Sequence, residues 1–257
     1  MELGLKGKVA AITGATEGIG RATAQKLARE GASVAICARH ADKVQQAADE
    51  IAKLGAEALG VAADVSKTED VERFINTVIR RFGRIDILVN NAGTSMARAF
   101  DAVSDRDWQA DMDLKLFGAI RCARLAIPQM KKQGGGRIIN ITTVGGKQPG
   151  ANSMPTTITR AAGLALTKAL SKELAAHNIL VNTVCIGKIK SGQHERRYVK
   201  DGISADEYYG RVARDIPMKR VGEAEEVANV IAFLASDAAS YVTGASLNLD
   251  GGISGVL

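Results

Sequence analysis

Short apolar runs alternate with longer segments in which apolar residues recur at helical spacing. The runs carry few charges internally and are rich in β-branched residues, which predicts strands that are covered on both faces. These strand candidates are Val9 to Thr13, Ser33 to Ala38, Ala56 to Ala63, Ile85 to Asn91, Gly136 to Thr142, Ile179 to Gly187 and Ser246 to Gly252.

The segments between these runs predict helices, the clearest being 21–30, 41–54, 69–82 and 223–235. Repeated strand–helix–strand units with right-handed crossovers give a doubly wound parallel sheet, the α/β Rossmann fold. With no repeat and no linker, residues 1–257 are predicted to form a single domain. The one break in the rhythm is 188–218, which is polar, contains aromatic residues and is predicted to be a lid inserted over a ligand site.

Composition narrows the class of protein. The 257 residues are 46% hydrophobic, enough for one large core without disulfides. Cys37, Cys122 and Cys185 lie far apart, which predicts buried thiols and no metal site. The net charge of +6 is spread among acidic residues, so nucleic acid is not the expected partner. No signal segment or apolar run of membrane-spanning length is visible, so we expect a cytoplasmic protein without a membrane partner.

The first strand runs directly into a glycine-rich turn, Thr13-Gly14-Ala15-Thr16-Glu17-Gly18-Ile19-Gly20, and then into a helix. Such a turn lets the backbone approach a pyrophosphate, while the helix N-terminus supplies N–H donors. A glycine triplet alone is a weak signal, but its position after a strand and before a helix predicts a dinucleotide site.

Together with Asn90-Asn91-Ala92-Gly93, Asp64-Val65 and the ending Leu249-Asp250-Gly251-Gly252, this loop resembles the short-chain dehydrogenase/reductase family from Lys8 to Gly252. The resemblance implies a pyrophosphate at the glycine loop, adenine near Asp64 and Val65, and ribose beside the Asn-Asn-Ala-Gly turn. The cofactor residues it implies are Gly14, Thr16, Gly18, Ile19, Gly20, Arg39, Asp64, Val65, Asn90, Asn91, Ala92, Gly93, Arg160, Gly187, Ile189 and Ser191.

The end of the second strand bears on cofactor choice. It reads Cys37-Ala38-Arg39, with a cation where an acid would select the free ribose hydroxyl of NAD. Arg39 favours NADP because it can pair with the 2′-phosphate. Glu17 gives the opposite indication, because it is an acid in the loop where a basic residue would help. We expect NADP, preferred over NAD.

The catalytic positions depart from the family pattern. Where the resemblance implies serine, tyrosine and lysine, this chain has Thr143, Thr156 and Arg160, and Lys115 replaces an asparagine. Thr143 keeps a hydroxyl that can polarise a carbonyl, and Arg160 keeps a cation one helical turn from Thr156. The lost tyrosine is the serious change, because an aliphatic hydroxyl is far less acidic than a phenol. Thr156 can also be a simple residue of the first helical turn.

Three groups can supply the missing proton. Lys115 becomes a usable acid if it points inward beside Arg160, since desolvation and like charge both lower an ammonium pKa. Alternatively, Lys115 faces outward or fills a subunit contact. Water is the second source, and the third is a tyrosine of the 188–218 insertion, Tyr198, Tyr208 or Tyr209, although packing is the simpler role for each of them.

The 188–218 insertion is basic. Its cations, Lys188, Lys190, Arg196, Arg197 and Lys200, stand near the lone acid Glu195 and would suit an anionic substrate, unless the charges are merely solvated. The helix from Thr156 carries alanines at 161, 162, 165 and 169 that permit close helix packing, either within the chain or between copies. The family resemblance implies a homotetramer.

Two functions therefore stay open. The first is an NAD(P)-dependent oxidoreductase that acts on a carbonyl/alcohol pair of a small molecule, with Thr143, Thr156, Arg160 and Lys115 as candidate catalytic residues. The second is an NAD(P)-binding protein without ordinary redox turnover, which would be a sensor, a structural partner or an enzyme of another reaction type. We favour the first because the cofactor half of the site matches the family.

Overall fold

The computed structural model describes residues 2–256 and contains a parallel sheet of seven strands. Along the chain the strands are β1 (Val9–Thr13), β2 (Ser33–Ala38), β3 (Ala58–Ala62), β4 (Ile87–Asn90), β5 (Ala97–Arg98), β6 (Gly136–Thr143), β7 (Met154–Pro155), β8 (Ile179–Ile186) and β9 (Ser246–Leu249). The sheet order is β3-β2-β1-β4-β6-β8-β9, while β5 and β7 form a separate antiparallel pair.

Helices cover both faces of the sheet. They are α1 (Gly18–Arg29), α2 (Ala41–Ala52), α3 (Thr68–Phe82), α4 (Asp105–Met112), α5 (Gly118–Lys132), α6 (Thr156–Leu174), α7 (Gly192–Asp201), α8 (Ala205–Ala213) and α9 (Ala224–Ala235). One core lies under α1, α2 and α9, with Leu27, Ile51 and Ile231 inaccessible to solvent. The other lies under α3 and α5, where Phe74 and Met130 are equally buried. The predicted doubly wound α/β fold is confirmed.

Strand order places the ligand crevice. The chain runs outward from β1 through β2 to β3, then returns across β1 to β4. Ligands in open parallel sheets bind outside the carboxyl ends of the strands at such a reversal. The glycine loop follows β1 at this point, and the loops after β4, β6 and β8 open on the same edge.

The structure refines several predicted bounds. The third strand begins at Ala58 rather than Ala56, and the last ends at Leu249 because Gly251 and Gly252 turn the chain with φ of 66° and 85°. The two-residue strands β5 and β7 are too short to leave a periodic pattern. Segment 188–218 contains α7 and α8, and all three cysteines are buried free thiols.

Within residues 2–256, the helices are all too short or too polar to traverse a lipid bilayer.

Candidate active site

The glycine loop is a tight cradle between β1 and α1. Gly14 and Gly18 have φ of 66° and 55°, a region that side chains disfavour. A Cβ on Gly14 would stand 2.8 Å from the Ala92 Cα, and one on Gly20 would overlap the Gly14 carbonyl oxygen. Helix α1 starts at Gly18 without a side-chain cap, so its first N–H groups remain available to an anion. These features fit a dinucleotide pyrophosphate.

Asn91 braces this loop through its side chain. Its Nδ2 donates to the carbonyl oxygens of Thr13 and Gly14, both at 2.9 Å. Thr13 Oγ1 in turn accepts from the backbone N–H groups of Asn91 and Ala92, at 3.1 and 3.0 Å. The Asn91 side chain, expected at the ribose, thus holds the backbone of the glycine loop. Thr13, which the sequence analysis did not assign to the site, ties β1 to the β4 turn.

The predicted adenine end is assembled after β2 and β3. Asp64 Oδ1 accepts from the N–H and hydroxyl of Ser66, at 3.0 and 2.7 Å, which fixes the turn around it. Val65 is 6% exposed, and a Cβ on Gly118 would lie 3.2 Å from its side chain. Arg39 is exposed at the end of β2 and makes no hydrogen bond or ion pair within residues 2–256. It is therefore available to a phosphate.

Helix α7 lies against the glycine loop. Arg196 pairs with Glu17 through two contacts, at 3.0 and 3.2 Å between guanidinium nitrogens and carboxylate oxygens. This pair lowers the pKa of Glu17. Ser191, which precedes α7 as its N-cap residue, lies beside Gly18, with its Cβ 3.6 Å from where a Cβ on that glycine would stand. The acid in the loop is thus matched by a cation from the 188–218 segment, which sequence order could not show.

Between β8 and α7, the chain faces the candidate cofactor site with its backbone rather than with side chains. Gly187 passes so close to Asp250 that a Cβ would stand 2.7 Å from the Asp250 Cα. Ile189 is 5% exposed and belongs to the core under α1 and α9. It pairs with Gly222 in an isolated bridge. Its side chain therefore points into the protein, leaving only its backbone to face a cofactor.

Lys115 is buried in the crevice. It sits in a π-helical turn, Asp113–Phe117, between α4 and α5, and only 1% of its side chain is exposed. Such turns interrupt α-helices most often at functional sites. The Lys115 ammonium pairs with Asp111 and donates to Thr156 Oγ1 at 3.0 Å. Of the two orientations that the sequence left open, the structure has the inward one.

Asp111 links this lysine to α6. Its carboxylate is as buried as Lys115, and its second oxygen accepts from Thr159 Oγ1 at 2.6 Å. The sequence analysis assigned neither Asp111 nor Thr159 to the site. The spacing of Asp111 and Lys115, four residues apart, was an available signal for an ion pair within a helix. Nothing in the sequence joined them to Thr159.

Arg160 is wedged between β6 and the β4 turn. Its Nη1 donates to the Ile141 carbonyl oxygen at 2.6 Å, and a Cβ on Gly93 would stand 2.6 Å from its Nη2. Burial lowers the pKa of Arg160 to about 10, with the Asp111 charge opposing the shift, so it remains a cation at neutral pH. A side chain at position 93 would therefore displace the tip of this guanidinium.

The two cations act on each other. Burial, together with repulsion from Arg160, lowers the pKa of Lys115 to about 8, while attraction to Asp111 opposes the shift. An ammonium group with this pKa can release a proton near neutral pH. Both causes are predictable from the sequence, whereas the opposing carboxylate is not.

The hydroxyl of Thr156 has both acceptor positions occupied. Thr156 is the first residue of α6 and is 7% exposed. It accepts from Lys115 and also from the Met96 backbone N–H at 2.9 Å. A hydroxyl with two donors on its oxygen has its own hydrogen free to donate. Thr143 lies at the end of β6, and its hydroxyl makes no hydrogen bond within the described chain, so this hydroxyl is also free.

The three tyrosines of segment 188–218 pack together. The rings of Tyr198, Tyr208 and Tyr209 lie 5.4 to 6.0 Å apart between centroids, and Tyr208 hydroxyl meets His194 Nδ1 at 2.8 Å. Burial, with nearby cations, lowers the pKa of His194 to about 4, so this ring is neutral at pH 7. These contacts give the tyrosines a packing role between α7 and α8.

Behind Lys115 the site closes on a cavity of about 20 Å³, room for a single water molecule. Asn90 and Arg160 are among the residues that line it, and each holds a buried polar atom without a protein partner, Asn90 Oδ1 and Arg160 Nε. Asn90 Nδ2 donates to Asn140 Oδ1 at 2.8 Å. Asn90 Oδ1 and Arg160 Nε therefore give this small cavity one hydrogen-bond acceptor and one donor.

Known proteins resemble this chain over nearly its whole length. A family model described as enoyl-(acyl carrier protein) reductase matches residues 14–254. The 3-oxoacyl-[acyl-carrier-protein] reductase FabG of Staphylococcus epidermidis is 36% identical over 96% of this chain and 98% of its own.

Solved structures are equally similar. L-sorbose reductase from Gluconobacter frateurii, complexed with NADPH and L-sorbose, has a TM-score of 0.95 at 36% identity over the whole of both chains. A short-chain type dehydrogenase/reductase from Mycobacterium marinum has a TM-score of 0.90 at 35% identity, over 99% of this chain and 98% of its own. The chain therefore belongs to the short-chain dehydrogenase/reductase family of NAD(P)-dependent oxidoreductases.

Proposed function

We propose that this protein is an NADPH-dependent ketone reductase in which Lys115, acting through Thr156, supplies the proton that other members take from a tyrosine. The observation that carries the proposal is the 3.0 Å hydrogen bond from the buried Lys115 ammonium to Thr156 Oγ1. A lysine enclosed with a second cation and aimed at the tyrosine position has the chemistry of an acid.

NADP is the proposed cofactor. When bound, NADPH supplies the hydride that reduces the carbonyl carbon. The bare glycine loop and uncapped start of α1 are suited to its pyrophosphate, and the unpaired Arg39 to its 2′-phosphate. Pairing with Arg196 offsets the unfavourable charge of Glu17. The co-crystallised NADPH of the L-sorbose reductase supports the same choice.

The proton reaches the substrate through a hydroxyl relay. As the carbonyl π bond breaks, Thr156 donates its hydroxyl proton to the substrate oxygen and accepts a proton from Lys115 Nζ. Lys115 is left as a neutral amine, which solvent reprotonates. Because Thr156 gains one proton as it loses the other, the low acidity of an aliphatic hydroxyl does not limit the step. Becoming neutral costs Lys115 less than it costs an ordinary lysine, since burial and the charge of Arg160 lower its pKa to about 8.

Two further residues complete the site. The free hydroxyl of Thr143 donates to the carbonyl oxygen and stabilises the charge that develops there. Arg160, fixed by the Ile141 carbonyl oxygen and seated against Gly93, contacts the cofactor ribose. Next to desolvation by burial, the positive charge of this guanidinium helps to lower the pKa of Lys115.

The substrate is proposed to be a ketone of a small molecule. The relatives are named for reduction of a 3-oxoacyl group and of L-sorbose, both of which contain a ketone. An anionic substrate remains a prediction. Two cations of the basic segment are already paired with carboxylates, Arg196 with Glu17 and Lys190 with Glu223, and are therefore less available to bind it. Arg197, which makes no ion pair within residues 2–256, is the better candidate for such a contact.

The decisive experiment measures NADPH oxidation against a panel of ketones, including 3-oxoacyl thioesters and ketoses. We expect turnover by the wild-type protein and a loss of about a hundredfold or more in kcat for Lys115→Met, with the NADPH dissociation constant unchanged. Thr156→Tyr/Arg160→Lys, which restores the family residues, is the control. Turnover by this double variant alone, with none by the wild type, would instead identify an NADP-binding protein without redox activity.

A homotetramer is proposed for the assembly. Helix α6 presents Ile158, 41% exposed, on the same side as the solvent-exposed Ala165 and Ala169. Small residues beside an apolar one allow two helices to approach closely. Light scattering of the wild type against Ala165→Arg tests this, with a smaller species expected for the variant.

A further inference from the structure

Asp111 and Thr159 form a buried pair behind the proposed proton donor. Asp111 lies near the end of α4 and Thr159 on the second turn of α6, so the pair joins two helices. One Asp111 oxygen contacts Lys115 Nζ and the other accepts from Thr159 Oγ1 at 2.6 Å. Thr159 Oγ1 is 3.0 Å from the Thr156 carbonyl oxygen, so the pair is also tied to the start of α6.

A charge count shows why this carboxylate matters. The charged groups that bear on Lys115 are Asp111 on its own helical segment and Arg160 on α6. Without Asp111, two cations would share a buried site, and the lysine would lose its proton because it is the weaker base. The only carboxylate in contact with Lys115 within residues 2–256 is that of Asp111.

Geometry gives the carboxylate a second effect. The π-helical turn carries Lys115 inward, but a lysine side chain has several rotatable bonds and does not fix its own direction. Asp111 holds the ammonium from one side, and the Thr156 oxygen accepts from it on the other. Thr159 locks the carboxylate, so every member of the chain has a partner.

We propose that Asp111, oriented by Thr159, is a positioning residue that keeps Lys115 protonated and directed at Thr156. It touches neither substrate nor cofactor and acts only through the lysine. The inference rests on the proposed function for its catalytic meaning, while its effect on the ionisation of Lys115 can be measured without turnover.

The first test follows Lys115 directly. NMR of protein labelled with ¹³C at lysine Cε, with the Lys115 signal assigned by its absence in Lys115→Met, gives the titration between pH 6 and 11. Asp111→Asn should move the Lys115 midpoint to lower pH by about one unit or more, since a contacting carboxylate shifts a partner by that amount. Asp113→Asn is the matched control: this nearby carboxylate pairs with Arg121 at 2.8 Å, and its loss should leave the midpoint in place. An unmoved midpoint in folded Asp111→Asn would overturn the proposal.

The second test uses kcat and covers the case in which Asp111→Asn does not fold because two cations then share the buried site. Lys115→Met/Asp111→Asn removes one charge of each sign, so the buried cluster keeps its net charge and Arg160 remains as its cation. If Asp111 acts only through Lys115, this double variant has the same kcat as Lys115→Met. A further fivefold loss would show an independent role and contradict the proposal. Wild-type turnover by Lys115→Met would refute the proton-donor function and leave the titration result standing.

Discussion

The glycine loop and the Lys115 network face the same crevice, but one consists of backbone groups and the other of side chains. The loop acts through its backbone: Gly14 and Gly20 leave no room for a Cβ, Gly18 has a positive φ, and the donors are main-chain N–H groups. The network is side chain: Asp111, Lys115, Thr156 and Thr159 come from separate segments and meet only in the fold. A backbone cradle tolerates little change, whereas a side-chain network can move its proton donor from one helix to another and keep the same site.

Among variants that disturb one of these two regions and leave the other intact, a substitution of Thr156 is expected to have the largest effect, which is on kcat. Thr156→Val keeps the shape but removes the hydroxyl that links Lys115 to the substrate, so kcat should fall by about a hundredfold or more. The NADPH dissociation constant should stay within twofold, because the glycine loop is untouched. Thr156→Ser, which keeps the hydroxyl, is the matched control, and stopped-flow turnover with fluorescence titration measures both quantities. Equal losses in the valine and serine variants would argue against a relay.

The converse experiment breaks the cradle and spares the network. Gly20→Ala forces the Gly14 carbonyl oxygen to move, and a distortion of about 2 kcal/mol weakens NADPH binding about thirtyfold. Gly150→Ala is the control, because a Cβ there meets nothing within 4 Å. Calorimetric titration measures the NADPH affinity of both variants. Wild-type affinity in Gly20→Ala would mean that the cofactor does not approach this loop.

The pH dependence of the rate of ketone reduction tests the Lys115 network without altering the glycine loop. The reaction needs Lys115 protonated, and its pKa is lowered to about 8. The rate at low ketone concentration should therefore be flat below pH 8 and fall about tenfold per unit above it. In Lys115→Met the residual rate should lose this limb. A wild-type rate that holds constant to pH 10 would rule out Lys115 as the donor.

Arg39 tests cofactor choice within the cradle. Arg39→Ala removes a cation at the end of β2, and loss of one exposed charge-assisted contact should weaken NADPH binding by about tenfold. NADH binding should not change. The control is Arg29→Ala, an exposed arginine without an ion pair at the end of α1. If the affinities for NADPH and NADH fall equally, Arg39 does not bind the 2′-phosphate.

The smallest effect on cofactor affinity is expected for a substitution of Glu17. Its exposed pair with Arg196 contributes roughly 0 to 1 kcal/mol, so Glu17→Gln changes affinities by only a few-fold. We expect NADPH to bind about two to three times more tightly, since a negative charge leaves the loop. Raising the salt concentration should abolish the difference by screening. Weaker binding in low salt would show that the pair serves mainly to hold α7 in place.

Sequence patterns predicted most of the fold. The bounds of β1 and β2 match the predicted runs, because a buried parallel strand is a continuous apolar stretch and needs no distant information. The β5–β7 pair was missed because two residues show no period. In the site, the glycine loop was predicted from its sequence position, and the inward lysine was left as one of two alternatives.

By itself, the sequence determined the alternation of strands and helices of a doubly wound fold, the glycine-rich turn after β1 and the threonine at position 156, since each depends on local spacing or residue type. Tertiary structure decided which groups meet. Arg196 reaches Glu17 across 179 positions of sequence, and Asp111 reaches Thr159 across 48. The direction of Lys115 depends on a π-helical turn and on the burial of a carboxylate between two helices. Ionisation in a protein interior is set by such neighbours, and only the folded chain brings them together.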